Sequence, residues 1–95
     1  MATVLERQLA LALERRLAVF KEAIHSGSLL EDEMQLHAVV YMISEILLPC
    51  CCMLTNKDRL RSLLKAVPLL QGQEALVEKL VLLVYAELAR CNGLG

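Results

Sequence analysis

The sequence contains very few aromatic residues: no tryptophan, one phenylalanine and two tyrosines. Surfaces that bind single-stranded nucleic acid usually stack bases on aromatic side chains, so this composition gives such a function little support. Alternating runs of Val, Ile and Thr, which are typical of β-strands, are also missing. Most of the chain consists of Leu, Ala, Val, Glu, Arg and Lys, and most of these residue types favour helices. The composition therefore predicts an all-α fold.

The sequence also lacks a strong net charge and a long uninterrupted apolar run. Its formal net charge is −1, so no general attraction to nucleic acid or to an anionic membrane is expected. Charges such as Glu6 and Arg7 interrupt the apolar segment that a signal peptide needs. The most apolar stretch, residues 38–54, contains Glu45 and Pro49 and is too short to span a membrane. We therefore expect a protein without a membrane span.

The four cysteines are too clustered for a disulfide framework, since Cys50, Cys51 and Cys52 are adjacent and only Cys91 stands apart. This pattern favours a reducing compartment, the cytoplasm or the nucleus. Adjacent cysteines point in different directions, whereas zinc ligands are usually at least two residues apart. We therefore predict no metal site and no cofactor. Reversible palmitoylation is the alternative, and small buried residues at a helix corner are the ordinary explanation.

Local charge is uneven although the total is near zero. Residues 1–21 sum to +2, residues 22–45 to −5, residues 46–73 to +3 and residues 74–95 to −1. Oppositely charged segments can complement each other within one fold or between two copies of the chain. Exposed ion pairs contribute at most about 1 kcal/mol each, so the pattern alone does not decide between these arrangements.

The hydrophobic periodicity predicts one helical domain over residues 1–95, with 91–95 as a frayed tail. The predicted helices cover about 4–25, 29–48, 57–67 and 73–90. Thr3 and Glu6 are spaced as a capping box, and Ser28 and Glu31 repeat that spacing. Pro49 is expected to end the second helix. The most direct arrangement is a four-helix bundle of two antiparallel helical hairpins.

The two halves of the chain also resemble each other, and this raises an alternative architecture. Residues 16–24 align with residues 59–67 at an offset of 43, and residues 34–47 align with 76–89 at an offset of 42. A helical period near 42 residues lies in the range of HEAT and armadillo repeats. Any two Leu-rich helix pairs align passably, so a two-unit HEAT/armadillo-like repeat and a plain bundle both stay open.

No residue constellation points to catalysis, and we predict that the protein is not an enzyme. Glu33 and His37 are one helical turn apart, but no nucleophile stands at a predictable distance from them. Glu45 and Glu87 lie on the most apolar helices, where each is expected to reach solvent or a cation, or to mark a polar spot within an interface. The sequence LRSLL at 60–64 matches a groove-docking helix motif, but its leucines also suit the core.

The second and fourth predicted helices carry more apolar positions than a small four-helix domain usually hides. Apolar surface that stays exposed in a patch marks an interaction site. We therefore predict a non-catalytic scaffold or adaptor domain that binds another protein or a second copy of itself, by self-association or by docking a partner helix. The alternative is a helical bundle that binds a lipid or another apolar ligand. The predicted partner-binding residues are Val39, Val40, Met42, Ile43, Leu82, Leu83 and Tyr85.

Overall fold

A computed structural model of the chain describes residues 3–50 and 56–93, and it confirms the all-α fold. Within these residues no β-strand is present. Short 3-10 turns link several of the helices. The α-helices are α1 (Val4–Leu17), α2 (Lys21–Ser26), α3 (Glu33–Leu47), α4 (Lys57–Lys65) and α5 (Glu74–Cys91).

The first predicted helix is divided into two by a 3-10 segment. The capping box at its start is present, since the Glu6 backbone N–H donates to Thr3 Oγ1 and the Thr3 N–H donates to Glu6 Oε1. The α-helical pattern then changes to a 3-10 turn over Ala18–Phe20 before α2 begins. Gly27 ends α2 with a φ of 81°, a left-handed conformation that glycine adopts without steric cost.

The second predicted helix begins later than the sequence suggested, and the prediction of a capping box at Ser28 and Glu31 is wrong. Ser28–Glu31 form a 3-10 turn, and Asp32 is the N-cap of α3 because its Oδ1 accepts the Gln35 N–H at 3.1 Å. A carboxylate caps a helix as well as a serine hydroxyl does, so the chain offered two competing starts. Leu48 then caps the end of α3, immediately before Pro49.

The last two helices also differ slightly from their predicted bounds. Asn56 caps α4, its Oδ1 accepting the N–H groups of Asp58 and Arg59. Helix α4 ends at Lys65, two residues before the predicted end, because Pro68 starts a 3-10 turn and favours extended backbone in the residue before it. Helix α5 begins and ends one residue later than expected. The predictions for Cys51, Cys52 and the last two residues of the tail concern positions outside the described residues.

The four longest helices enclose one apolar core. Helix α5 packs against α3 and α4, and α1 packs against the same two helices. The spacing of Leu5, Leu9 and Leu13 predicts one apolar stripe on the first helix, but Leu5, in the first turn of α1, is exposed, whereas Leu9 and Leu13 are buried. Among the core side chains without accessible surface are Leu13, Leu17, Ile43, Leu47, Leu60, Leu80 and Leu88.

The helix contacts do not distinguish a bundle from two stacked repeats, since both place α1 beside α4 and α3 beside α5. Burial does not follow the predicted offset of 42 between α3 and α5. Val39 and Val81 are both buried, but Val40 is buried where its counterpart Leu82 is exposed. An offset of 41 matches the buried positions better, for example Val40 with Val81. The hairpin pairing and the repeat therefore stay predictions.

Side-chain hydrogen bonds of Glu14 and of Arg61 join elements that are distant in sequence. Glu14 on α1 accepts the backbone N–H of Leu69 on its Oε1 at 2.9 Å. Arg61 on α4 holds Glu78 on α5 through two hydrogen bonds, from Nε at 2.7 Å and from Nη2 at 3.1 Å. Both contacts involve groups at or near the surface, so they orient the helices around a core that apolar packing already defines.

Candidate protein-interaction surface

Three of the seven predicted partner-binding residues lie in the core and cannot form an exposed surface. Val39, Val40 and Ile43 on α3 are buried. The prediction rested on the argument that two short hairpins have difficulty enclosing two very apolar helices completely. In the structure α1 and α4 cover the inner sides of α3 and α5, and these three residues lie there.

The other four residues reach the surface to different degrees. Leu82 on α5 is exposed, with 56% of its surface accessible to solvent. Met42, Leu83 and Tyr85 are half-buried against the edge of the core. The Tyr85 ring is covered by Lys57 of α4, whose Nζ lies 5.1 Å from the ring centroid, a distance typical of a cation–π contact. Leu82 is therefore the predicted residue most available to a partner.

The exposed side of α3 carries apolar residues that the prediction missed. Met34, Ala38 and Tyr41 follow one another at helical spacing on the side opposite the core, and Tyr41 has 58% of its surface exposed. The i, i+4, i+7 spacing was readable in the sequence. It could not be assigned to the outer face because almost every face of the second predicted helix is apolar.

A groove of about 220 Å³ lies between α3 and α5, and of the exposed apolar residues named above Tyr41 lines it. It is open to solvent along its length. The His37 and Tyr41 rings stack at its rim, with centroids 6.4 Å apart and ring planes at 28°. Residues from both helices line it, His37, Val40 and Tyr41 from α3 and Leu83, Ala86, Glu87 and Arg90 from α5.

One end of the groove is charged. Arg90 Nη2 donates to Glu87 Oε2 at 2.6 Å, and Arg90 Nε donates to Glu87 Oε1 at 3.2 Å. The Glu87 side chain has only 15% of its surface exposed. Its hydrogen bonds from Arg90 lower the pKa of this carboxyl below its usual value. The pair therefore stays ionised and fixed at the groove end at neutral pH.

The neighbouring Cys91 thiol is kept in its neutral form. Its Sγ lies 3.4 Å from Glu87 Oε2 and is positioned to donate to it. Partial desolvation, and then the hydrogen bond to the Glu87 carboxylate, raise the pKa of Cys91. A thiol with a raised pKa is a poor nucleophile, because the thiolate is the reactive species.

Glu45, the counterpart of Glu87 in the predicted alignment, lies in a different environment. Its side chain is largely exposed, and its Oε1 is 3.9 Å from Nη2 of Arg16 on α1. This agrees with the expectation that Glu45 reaches solvent or a cation from a neighbouring helix. Glu87 instead pairs with an arginine of its own helix, beside the groove.

Packing and ion pairing account for two further features of the described residues. Leu60, Leu63 and Leu64 of the LRSLL motif are buried, so they pack in the core. Arg61, which lies with Lys57, Arg59 and Lys65 on α4, is held by Asp58 and Glu78. Across residues 3–50 and 56–93, no three His, Cys, Asp or Glu side chains come together as metal ligands would. No helix in those same ranges is long and apolar enough to cross a membrane.

Comparison of the chain with protein-family models, with curated proteins and with solved structures finds no match in any of the three.

Proposed function

We propose that this chain is a non-catalytic protein-interaction domain, and that the outer face of α3 and α5 docks an amphipathic helix of a partner protein. The observation that carries the proposal is the groove between these helices: Tyr41 lines it and is exposed, and Leu82 is exposed one helical turn before Ala86, which also lines it. Exposed apolar residues grouped on one face are the usual mark of an interaction site, whereas single ones are common everywhere.

The shape of the groove suits a helix as its occupant. An amphipathic helix presents apolar anchors at i, i+3 or i+4, and i+7, which lie in a groove between two helices. Leu83 and Ala86 supply an apolar wall that lets such a helix approach closely, and Tyr41 offers both ring surface and a hydroxyl. The fixed Glu87–Arg90 pair at one end can orient a polar residue of the partner, which would set its direction.

The α3–α5 groove gives the alternative of a lipid or another apolar ligand no comparable support. A site for a small apolar molecule usually encloses about 300–1,000 Å³ and buries most of the ligand. The α3–α5 groove is smaller, at about 220 Å³, and is open to solvent. A helix needs such a groove only for one or two side chains and covers the rest of the face with its own surface.

The test uses two leucines that differ in location but have almost the same exposure. Leu82 on α5 is 56% exposed and Leu11 on α1 is 57% exposed. Leu82→Glu places a charge on the proposed face, and Leu11→Glu places the same charge away from it. Val40→Glu is unsuitable, because Val40 is buried and the change would unfold the domain.

A displayed library of 18-residue amphipathic helical peptides is selected against the intact chain, and the selected peptides are measured by fluorescence anisotropy. We expect Leu82→Glu to weaken binding at least tenfold, about 1.4 kcal/mol, and Leu11→Glu to leave it unchanged. The proposal fails if no helix is selected above background, or if both variants bind the selected peptides equally.

A further inference from the structure

A second and larger cleft of about 800 Å³ lies where the 3-10 segment between α1 and α2 faces the start of α3. Val19, Phe20 and Lys21 line one side of it, and Ser28, Asp32 and Gln35 line the other. None of the residues that line the α3–α5 groove takes part. The two surfaces can therefore be tested separately.

Val19 and Phe20 give this cleft apolar surface that solvent can reach. Val19 has 83% of its surface exposed. The half-buried residue beside it, Phe20, is the only phenylalanine of the chain. The change from α-helical to 3-10 backbone at Ala18 occurs next to these side chains. An exposed aliphatic residue beside an incompletely buried ring gives a contact point that a second surface would cover favourably.

One side of the cleft is cationic. Arg15 lies one helical turn before Val19 and is exposed, and Lys21 lines the cleft. Neither carboxylate of α1 lines the cleft: Glu14 is bound to the Leu69 N–H, and Glu6 lies at the start of the helix. Glu22 follows Lys21 in α2 and also lines the cleft, so this side carries the two cations Arg15 and Lys21 against one carboxylate.

The other side is anionic. Glu31, Asp32 and Glu33 are consecutive and exposed at the turn that leads into α3. Asp32 uses one oxygen to cap α3, which leaves its charge in place. This turn belongs to the segment 22–45, which carries five carboxylates and no Lys or Arg.

We infer that this cleft is the contact between two copies of the chain related by a two-fold axis. A two-fold contact requires a surface that is complementary to itself. Here a cationic side and an anionic side flank an apolar centre. The axis brings the Arg15–Lys21 side of each copy against the Glu31–Glu33 side of the other, with Val19 near the middle.

The charge pattern favours a second copy over an anionic lipid surface. The three carboxylates at the start of α3 would be repelled by anionic headgroups. In a closed dimer the cationic side of each copy meets the anionic side of the other, so the contact forms twice.

The experiment reverses the charge of each side of the cleft in a separate variant. One variant carries Arg15→Glu and Lys21→Glu, and the other carries Glu31→Lys and Glu33→Lys; Asp32 is kept because it caps α3. Sedimentation equilibrium measures the mass of each protein alone and of their equimolar mixture, and circular dichroism checks that each is folded. All the changed side chains are exposed, so we expect both variants to fold.

We expect the natural chain to dimerise, with a Kd at least tenfold weaker in 500 mM than in 50 mM salt because exposed charges are screened. Each reversed variant should be monomeric alone, and the mixture should form a heterodimer. Val19→Asp should also be monomeric, while Leu82→Glu should dimerise like the natural chain.

A natural chain that stays monomeric in low salt would overturn the inference, as would a mixture that forms no heterodimer. Loss of the dimer in Leu82→Glu would place the contact on the α3–α5 face instead. Because the peptide-binding test uses the other face, each proposal can fail without the other.

Discussion

Glu14 lies within α1, yet its carboxylate accepts the backbone N–H of Leu69, 55 positions along the chain. This N–H belongs to the 3-10 turn Pro68–Leu70, whose first donors have no partner within the turn. The bond is partly buried, and its acceptor is charged. Hydrogen bonds to charged groups contribute about 1.5–3 kcal/mol to stability, more than neutral ones.

Glu14→Ala should therefore lower the free energy of unfolding by about 2 kcal/mol, because it leaves the Leu69 N–H without this acceptor. Glu14→Gln keeps an acceptor oxygen without the charge and should lose about half as much. Urea denaturation followed by circular dichroism measures both. Glu22→Gln, at an exposed site, is the control, and equal stability of the Glu14→Ala variant and this control would contradict the assignment.

The sequence predicted burial at the residue scale only where helix faces are distinct. On α4 the buried leucines and the exposed charges fall on opposite sides, and the core role of Leu60 follows directly. On α3 almost every face is apolar, so the pattern does not separate buried Val40 from exposed Tyr41. The side of such a helix that faces the core is set by the helices packed against it, so the sequence of the helix alone does not reveal it.

At the scale of elements, Arg61 and Glu78 form the ion pair that joins α4 to α5. The hydrogen bonds from the Arg61 guanidinium lower the pKa of Glu78 below its usual value near 4.5, and Glu78 raises the pKa of Arg61. A carboxyl with a lowered folded-state pKa stabilises the fold fully above its unfolded-state pKa. That stabilisation is lost as the pH falls through the folded-state value.

Glu78→Gln should therefore be less stable than the natural chain at neutral pH, and the difference should shrink as the pH falls below about 4.5. Thermal unfolding across a series of acid pH values measures this difference. Glu74→Gln, one helical turn earlier on α5, controls for removal of a charge. A difference that stays constant from neutral to acid pH would show that the carboxylate charge of Glu78 is not what stabilises the α4–α5 contact.

The ends of the helices were predicted best where only one cap or one helix-ending residue is available. The capping box at Thr3 and Glu6 is present, and α3 stops next to Pro49. The break at Ala18–Phe20 could not be predicted, because no Gly or Pro marks it. The start of α3 was misplaced because Ser28 and Asp32 compete as caps, and packing decides between them.

At the scale of the whole molecule, the ring of α1, α3, α5 and α4 explains how the chain buries most of the Leu, Ile and Val side chains of α3 and α5. Each helix covers two others, so the excess of apolar faces on α3 and α5 is mostly internal. The all-α fold followed from composition and periodicity alone. The proposed partner surface did not follow from them, because it depends on which helix faces the other helices leave uncovered.

The packing of α5 gives a direct test of this arrangement. Leu80 is fully buried, whereas Leu82 is exposed. Leu80→Ala should lower the free energy of unfolding by about 2–5 kcal/mol, through lost burial and the cavity left behind, and Leu82→Ala should change it by about 0.5 kcal/mol or less. Chemical denaturation measures both variants. Similar losses for the two would mean that α5 is rotated from the orientation described.

The most direct test of the α3–α5 docking face is NMR mapping of a selected helical peptide on the intact, isotopically labelled chain. We predict that backbone amide shifts on binding are largest at residues 37–41 and 82–90, which flank the groove. The cleft at residues 18–35 should change little. Shifts centred on α1, or on the cleft between α1 and α3, would contradict the proposed function.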